Sequence, residues 1–184
     1  MTSNSKGCSC SDGCCAPEPK KELNIDFLYL DLNVCERCKG AKGNLDQAIQ
    51  EVSKVLKSAG YTVATNKVHI VSEKMAVKYK FLSSPTIRIN GRDVNLEVRE
   101  STCKDCGDLC GDTVNCRTWV YEGVDHEEPP KEMIVSAIMK AVFGSHSELK
   151  KRKQKYILPK NLKIFFKGFR AKQQVKKKIR KPNN

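Results

Sequence analysis

The sequence predicts an α/β domain, a central mixed sheet flanked by helices with a cysteine-rich insertion before the last strand. Two observations carry this reading. Residues 25–32 place Ile25, Phe27 and Tyr29 on one face of a strand and Leu28, Leu30 and Leu32 on the other. Large apolar side chains at both parities suit a central strand covered on both sides. The segments that follow then alternate between strand and helix patterns, in the order strand, helix, strand, helix, strand, insertion, strand, helix.

The first helix is marked by Leu45, Ala48, Ile49, Val52, Val55, Leu56 and Ala59, which recur at three- and four-residue steps. Asn44 with Gln47 forms a variant capping box at its start, and Gly60 closes it. Residues 61–71 are rich in β-branched side chains and supply a second strand. Ser72 caps a short helix through Met75, Ala76 and Tyr79 to about Phe81. The stretch "PTIRINGRD" is a strand ending in an Asn90-Gly91 hairpin turn, and "RTWVYEG" alternates as a further strand. Pro129 and Pro130 open a last helix with Met133, Ile134, Ala137, Ile138, Ala141 and Val142 on one face.

At 184 residues the chain holds one core of ordinary size with extra segments. Residues 1–22 are rich in Ser, Gly, Cys and Pro and read as a flexible arm; residues 23–145 form the domain, with its insertion at 98–116; residues 146–184 form a basic tail. The tail has 15 basic side chains and one acidic one, a net +14, which leaves the rest near neutral at −1. No apolar run suits a signal peptide or a membrane span, so the expected location is cytoplasmic.

In that compartment ten cysteines point to redox or metal chemistry rather than structural disulfides. Cys35 and Cys38, two residues apart after the first strand, suit either a reversible disulfide or half of a metal site. Cys103, Cys106, Cys110 and Cys116 lie within fourteen residues and are a candidate zinc site, with Gly107 and Gly111 allowing tight loops. Disulfides, a relay with Cys35 and Cys38, an iron–sulfur centre and free thiols are the alternatives. In the arm, Cys8, Cys10 and the vicinal pair Cys14 and Cys15 are candidate ligands for a soft metal or metalloid; the alternative is a tail whose thiols simply oxidise.

The cysteine pair after the first strand, the order of elements and the segment "MAVKYKFLSSPTIRING" together resemble the thioredoxin superfamily. Over residues 23 to about 144, including "CGDLCGDTVNCRTWVYEG", the chain is similar to a thioredoxin-like family catalogued as a domain of unknown function. The resemblance implies a thioredoxin-like fold, with Pro85 as a cis-proline and the carbonyl of Ser84 pairing with a substrate peptide. It also implies Cys35 as attacking thiol and Cys38 as resolving thiol. The chain departs from thioredoxins in placing "KGAKGN" between Cys38 and the expected cap at Asn44. That puts the helix dipole too far from Cys35 to lower its pKa, with Arg37 and Lys39 as partial substitutes.

The leading expectation is a thiol:disulfide oxidoreductase acting on protein or small-molecule disulfides, which needs no cofactor at the redox pair. The alternative is a protein that binds or handles soft metals or metalloids (zinc, copper, arsenic or mercury). Serine-hydrolase, P-loop and dinucleotide fingerprints are absent, and His69, His126 and His146 share no ligand motif. In the tail, Leu162, Phe165, Phe166 and Phe169 form the stripe of a basic amphipathic helix. That helix either docks on the domain itself or binds nucleic acid or anionic lipid non-specifically.

Overall fold

The strand read as central from its two-sided apolar pattern is central. In the computed structural model, which describes residues 21–144 and 155–179, β1 (Lys21–Tyr29) pairs in parallel with β2 (Tyr61–His69) and antiparallel with β3 (Thr86–Ile89). β4 (Arg92–Asp93) completes the order β2-β1-β3-β4. Both central residues of the β3–β4 turn, Asn90 and Gly91, have positive φ (49° and 74°), the backbone of a tight primed hairpin turn.

Alternation along β1 divides the interior in two. Leu23, Ile25 and Phe27 enter one apolar cluster with Ile87 and Ile89. That cluster is covered by α1 (Glu36–Ser58) and α4 (Lys131–Phe143), the latter through Met133, Ile134, Ile138 and Val142. Leu28 and Leu30, on the opposite face, enter a second cluster with Ile70, Phe81 and Ala76 of α2 (Glu73–Lys78). All six described cysteines lie in this second cluster.

α1 begins nine residues earlier than the Asn44 cap predicted. Cys35 is its N-cap, and the "KGAKGN" segment is helical. The tertiary core overrides the glycine penalty here: Cys38 and Ala41 are fully buried and extend the stripe of Leu45, Ala48, Val52 and Leu56 by two turns. Asn44 serves inside the helix instead, its Nδ2 donating to the Pro129 carbonyl at 3.0 Å just before α4. α2 starts as expected, with Ser72 Oγ accepting from the Met75 N–H, but ends at Lys78 rather than near Phe81.

A second difference concerns the strand expected after the cysteine-rich segment. It forms as β6 (Asn115–Tyr121), but pairs with β5 (Arg99–Thr102) and β7 (Val124–His126) in a separate three-stranded sheet, not in the central one. The insertion itself contains β5 and a short helix, α3 (Lys104–Cys110). The two sheets are joined through Arg117. Its backbone N–H donates to the Ser84 carbonyl at 2.7 Å. Its fully buried guanidinium forks onto both Asp93 carboxylate oxygens at 2.8 and 2.9 Å, donates to the Asn95 carbonyl, and lies 4.2 Å from the Trp119 ring centre.

The tail stripe docks on the protein's own surface. Leu162, Phe165 and Phe166 of α5 (Lys160–Ile179) are buried in the cysteine-containing cluster. Asn161 fixes the helix start by exchanging two hydrogen bonds with the backbone of Asn115, at 2.9 and 2.7 Å. Gly168 lets α5 approach α3 closely, because a Cβ there would stand 2.3 Å from the Cys110 carbonyl oxygen. Among the described residues no helix is long and apolar enough to cross a membrane.

Two substitutions test these joints. Asp93→Ala leaves the buried Arg117 charge without its carboxylate and is expected to cost about 3–5 kcal/mol, read as a fall in the urea midpoint. Gly168→Ala is expected to cost about 1–3 kcal/mol by forcing α5 away from α3. A midpoint unchanged within error in either variant would contradict the corresponding joint.

Candidate metal centre

Four cysteines from two distant stretches of chain meet in the second cluster. The Sγ atoms of Cys35, Cys103, Cys106 and Cys116 all lie within 4.8 Å of one another, and all four residues are buried. The Cys116 thiol donates to the Cys106 sulfur at 3.2 Å. None of the six described cysteines is in a disulfide.

Local structure explains how each sulfur arrives. Cys35 is the N-cap of α1 and Cys103 the N-cap of α3, both with extended backbone and neither using its side chain to cap its helix. Cys106 follows one turn into α3, and Cys116 stands on β6. The Cys103 N–H donates to the Val114 carbonyl at 3.0 Å, closing the loop that carries Cys103, Cys106 and Cys110 and leads to Cys116. Asp105 of α3 accepts the Glu36 N–H at 2.9 Å, so a carboxylate 69 residues away caps α1 and ties the Cys35 end of that helix to α3.

The ligand set differs from the one that spacing suggested. Cys110 is not in the group of four, and Cys35 takes its place. The reason is the helix: with α3 formed, Cys110 lies four residues beyond Cys106, about 6 Å further along the axis. Its Sγ faces the carbonyls of Gly107 and Asp112 at 3.6 and 3.5 Å, and burial pushes its thiol pKa up. The sequence held no local signal for Cys35 as partner of the insertion, since the contact spans almost 70 residues. The arm cysteines Cys8, Cys10, Cys14 and Cys15 lie outside the described residues.

Hydrogen bonds among the thiols separate their acidities. Those from Cys103, Cys106, Cys116 and Cys38 hold Cys35 well below the ordinary thiol range, against the opposing effect of burial. Cys103 is lowered too, chiefly by Cys106 and Cys116. Cys106, bonded to Cys103, is pushed up, as is Cys116, also chiefly by Cys103. Opposite shifts on neighbouring sulfurs are expected of thiols packed this closely. The positive end of a 23-residue helix at Cys35 favours the thiolate there, in contrast to the sequence expectation of a distant dipole.

Cys38 lies one turn after Cys35 on α1, fully buried, with its Sγ 3.4 Å from Ser84 Oγ. Hydrogen bonding with Cys35, then burial, pushes its thiol pKa up. The Ser84–Pro85 peptide bond is cis. The Ser84 carbonyl, which the resemblance offered to a substrate peptide, accepts the Arg117 N–H from β6. His69 is accounted for structurally, with Nε2 2.8 Å from the Leu30 carbonyl and its ring stacked on Tyr29.

Chemically, four converging thiols form a soft donor set of the number a tetrahedral ion takes. Thiolates at the usual zinc–sulfur distance of about 2.3 Å stand about 3.8 Å apart, within the 4.8 Å spread seen here. Asp105→Ala tests the tie that brings Cys35 to this group. Loss of the cap is expected to cost about 0.5–2 kcal/mol in urea unfolding, with Asp105→Asn retaining part of it. Equal stability in the wild type and the alanine variant would mean that the Glu36 N–H needs no partner.

Comparison with known proteins adds a family. Neither the curated proteins nor the solved structures include a match to this chain. A family model described as "Domain of unknown function (DUF2703)" matches residues 23–138, a span that holds both sheets, α1 and all four clustered cysteines. The chain belongs to the DUF2703 family.

Proposed function

We propose that the protein is a thioredoxin-like domain turned to metal binding, holding a soft divalent ion, zinc foremost, through Cys35, Cys103, Cys106 and Cys116. The observation that carries this reading is the burial of four mutually adjacent sulfurs from two separate segments. Thiols are small apolar groups when protonated, but four in contact are an unusual way to fill a core, and as thiolates they would repel without a cation. A fully ligated four-thiolate site is of the structural or storage type, since it leaves no position open for substrate. Support for the thioredoxin-like frame comes from the strand order β2-β1-β3-β4, with β1 and β2 parallel, and from the cis-proline entering β3.

The redox reading keeps one specific observation in its favour. Cys35 and Cys38 occupy the N-cap and first turn of α1, beside the Ser84–Pro85 loop, as a dithiol pair of that fold would. Against docking of a substrate peptide there, Cys35 is fully buried and the Ser84 carbonyl is already paired within the chain.

Cobalt(II) titration separates these readings. In the full-length chain with Cys8, Cys10, Cys14 and Cys15 changed to Ser, one cobalt per chain should bind with the intense sulfur-to-metal absorption of a four-thiolate site. Cys35→Ser should weaken binding by more than the about 10–100-fold typical of losing an outer-shell partner, while Cys110→Ser should leave it nearly unchanged. Uptake no tighter than that of free glutathione, or equal losses in the two variants, would sink the metal reading.

A further inference from the structure

The metal reading leaves one buried thiol beside the centre without a task. Cys38 stands outside the group of four, held 3.4 Å from Ser84 Oγ, a hydroxyl that also accepts the Leu30 N–H at 3.1 Å. Its neighbour Cys35 therefore has two partners. It belongs to the four-sulfur group, and it precedes Cys38 by three residues on the first turn of α1, a spacing that puts Cβ atoms about 5–6 Å apart on a helix. As N-cap, with φ −74° and ψ 106°, Cys35 is not held to helical geometry. A change of its χ1 rotamer can carry the sulfur from one partner toward the other without moving α1.

One edge of the centre, though buried, borders a surface groove. Cys103 forms part of the wall of a groove lined also by Thr102, Lys104, Gly107, Asp108 and Lys172. Its volume of about 580 Å³ falls within the range of about 300–1,000 Å³ usual for small-molecule sites. Cys103, Cys35 and Cys38 thus form a series, with the Cys103 and Cys35 sulfurs within 4.8 Å and Cys35 three residues before Cys38 at the start of α1.

We propose that this line of thiols couples metal release to the reduction of a low-molecular-weight disulfide, RSSR; the inference rests on the metal reading above. The Cys103 thiolate attacks one sulfur of RSSR in the groove, so that the RS–SR bond breaks, Cys103–SR forms and RS⁻ leaves. The Cys35 thiolate attacks the Cys103 sulfur, expelling the second RS⁻ and forming Cys35–Cys103. Cys38 gives its proton to a departing RS⁻ and attacks Cys35, forming Cys35–Cys38 and restoring the Cys103 thiolate. Two cysteines have lost two electrons, RSSR has become RSH and RS⁻, and the ion keeps only three thiolates. A three-thiolate ion with an open position passes readily to a competing ligand.

The test uses the zinc-loaded full-length chain, with the four arm cysteines changed to Ser, and oxidised glutathione as the disulfide under anaerobic conditions. Zinc release is followed with a chromogenic chelator, and the disulfide is located by peptide mass mapping. A Cys35–Cys38 bond that accumulates in step with released zinc in the wild type, and a disulfide halted at Cys35–Cys103 in Cys38→Ser, are the expected results. A wild-type bond that leaves Cys38 reduced, or a Cys38→Ser protein whose disulfide does not include Cys35, would overturn the coupling while leaving the metal reading in place. A chain that retains no zinc at the outset would overturn both. The mapping in the wild-type Cys38 background decides the matter even if Cys38→Ser does not fold.

Discussion

The hydrogen bond from the Arg117 N–H to the Ser84 carbonyl holds the rest of the site in position. It attaches the three-stranded sheet to the central one at the loop that enters β3. The residue before Arg117 is Cys116, and the residue at the other end of the bond touches Cys38 through its hydroxyl. One backbone contact thus fixes the spacing between the thiols of α1 and those of the insertion. The side chain of Arg117 reinforces it by gathering Thr86, Asp93 and Asn95 around a buried guanidinium stacked on Trp119. A buried ion pair is a costly way to gain stability, but it is directional in a way that apolar packing is not.

Around that joint the molecule has two interiors of different chemistry. The cluster beneath α1 and α4 is an ordinary aliphatic and aromatic core. The other mixes Leu, Ile and Phe with six cysteines and is covered by α5. The cysteines there are buried, so charges on sulfur interact strongly with one another and with any cation. The tail belongs to this arrangement: Phe165 and Phe166 bury surface in the cysteine cluster, while Lys163 and Lys167 on the same helix remain exposed. These two lysines therefore lie on the outer face of a docked helix.

The legible parts of the fold were those with local causes. The two-sided pattern of β1, the stripe of α1 beyond Leu45, the Asn90-Gly91 turn and the apolar stripe of α5 each follow from side-chain periodicity or from backbone freedom. Where local signals competed with the core, the core prevailed. Gly40, Gly43 and a credible cap at Asn44 argued for a late helix start, yet burial of Cys38 and Ala41 carries α1 back to Cys35. The strand "RTWVYEG" was visible as a strand, but its partners were not, because alternation reports a buried face and not the neighbour in the sheet.

The sequence by itself singled out cysteine as the residue to follow, with ten of them in three groups. It also determined the central strand and the helices that cover it. Only the tertiary structure decided which sulfurs meet. Spacing grouped Cys103, Cys106, Cys110 and Cys116 and set Cys35 with Cys38, whereas the fold exchanges Cys110 for Cys35. The physical reason is that coordination is a matter of distance in space. A helix separates Cys106 from Cys110 along its axis, while the packing of α1 against α3, capped by Asp105, closes a gap of almost 70 residues.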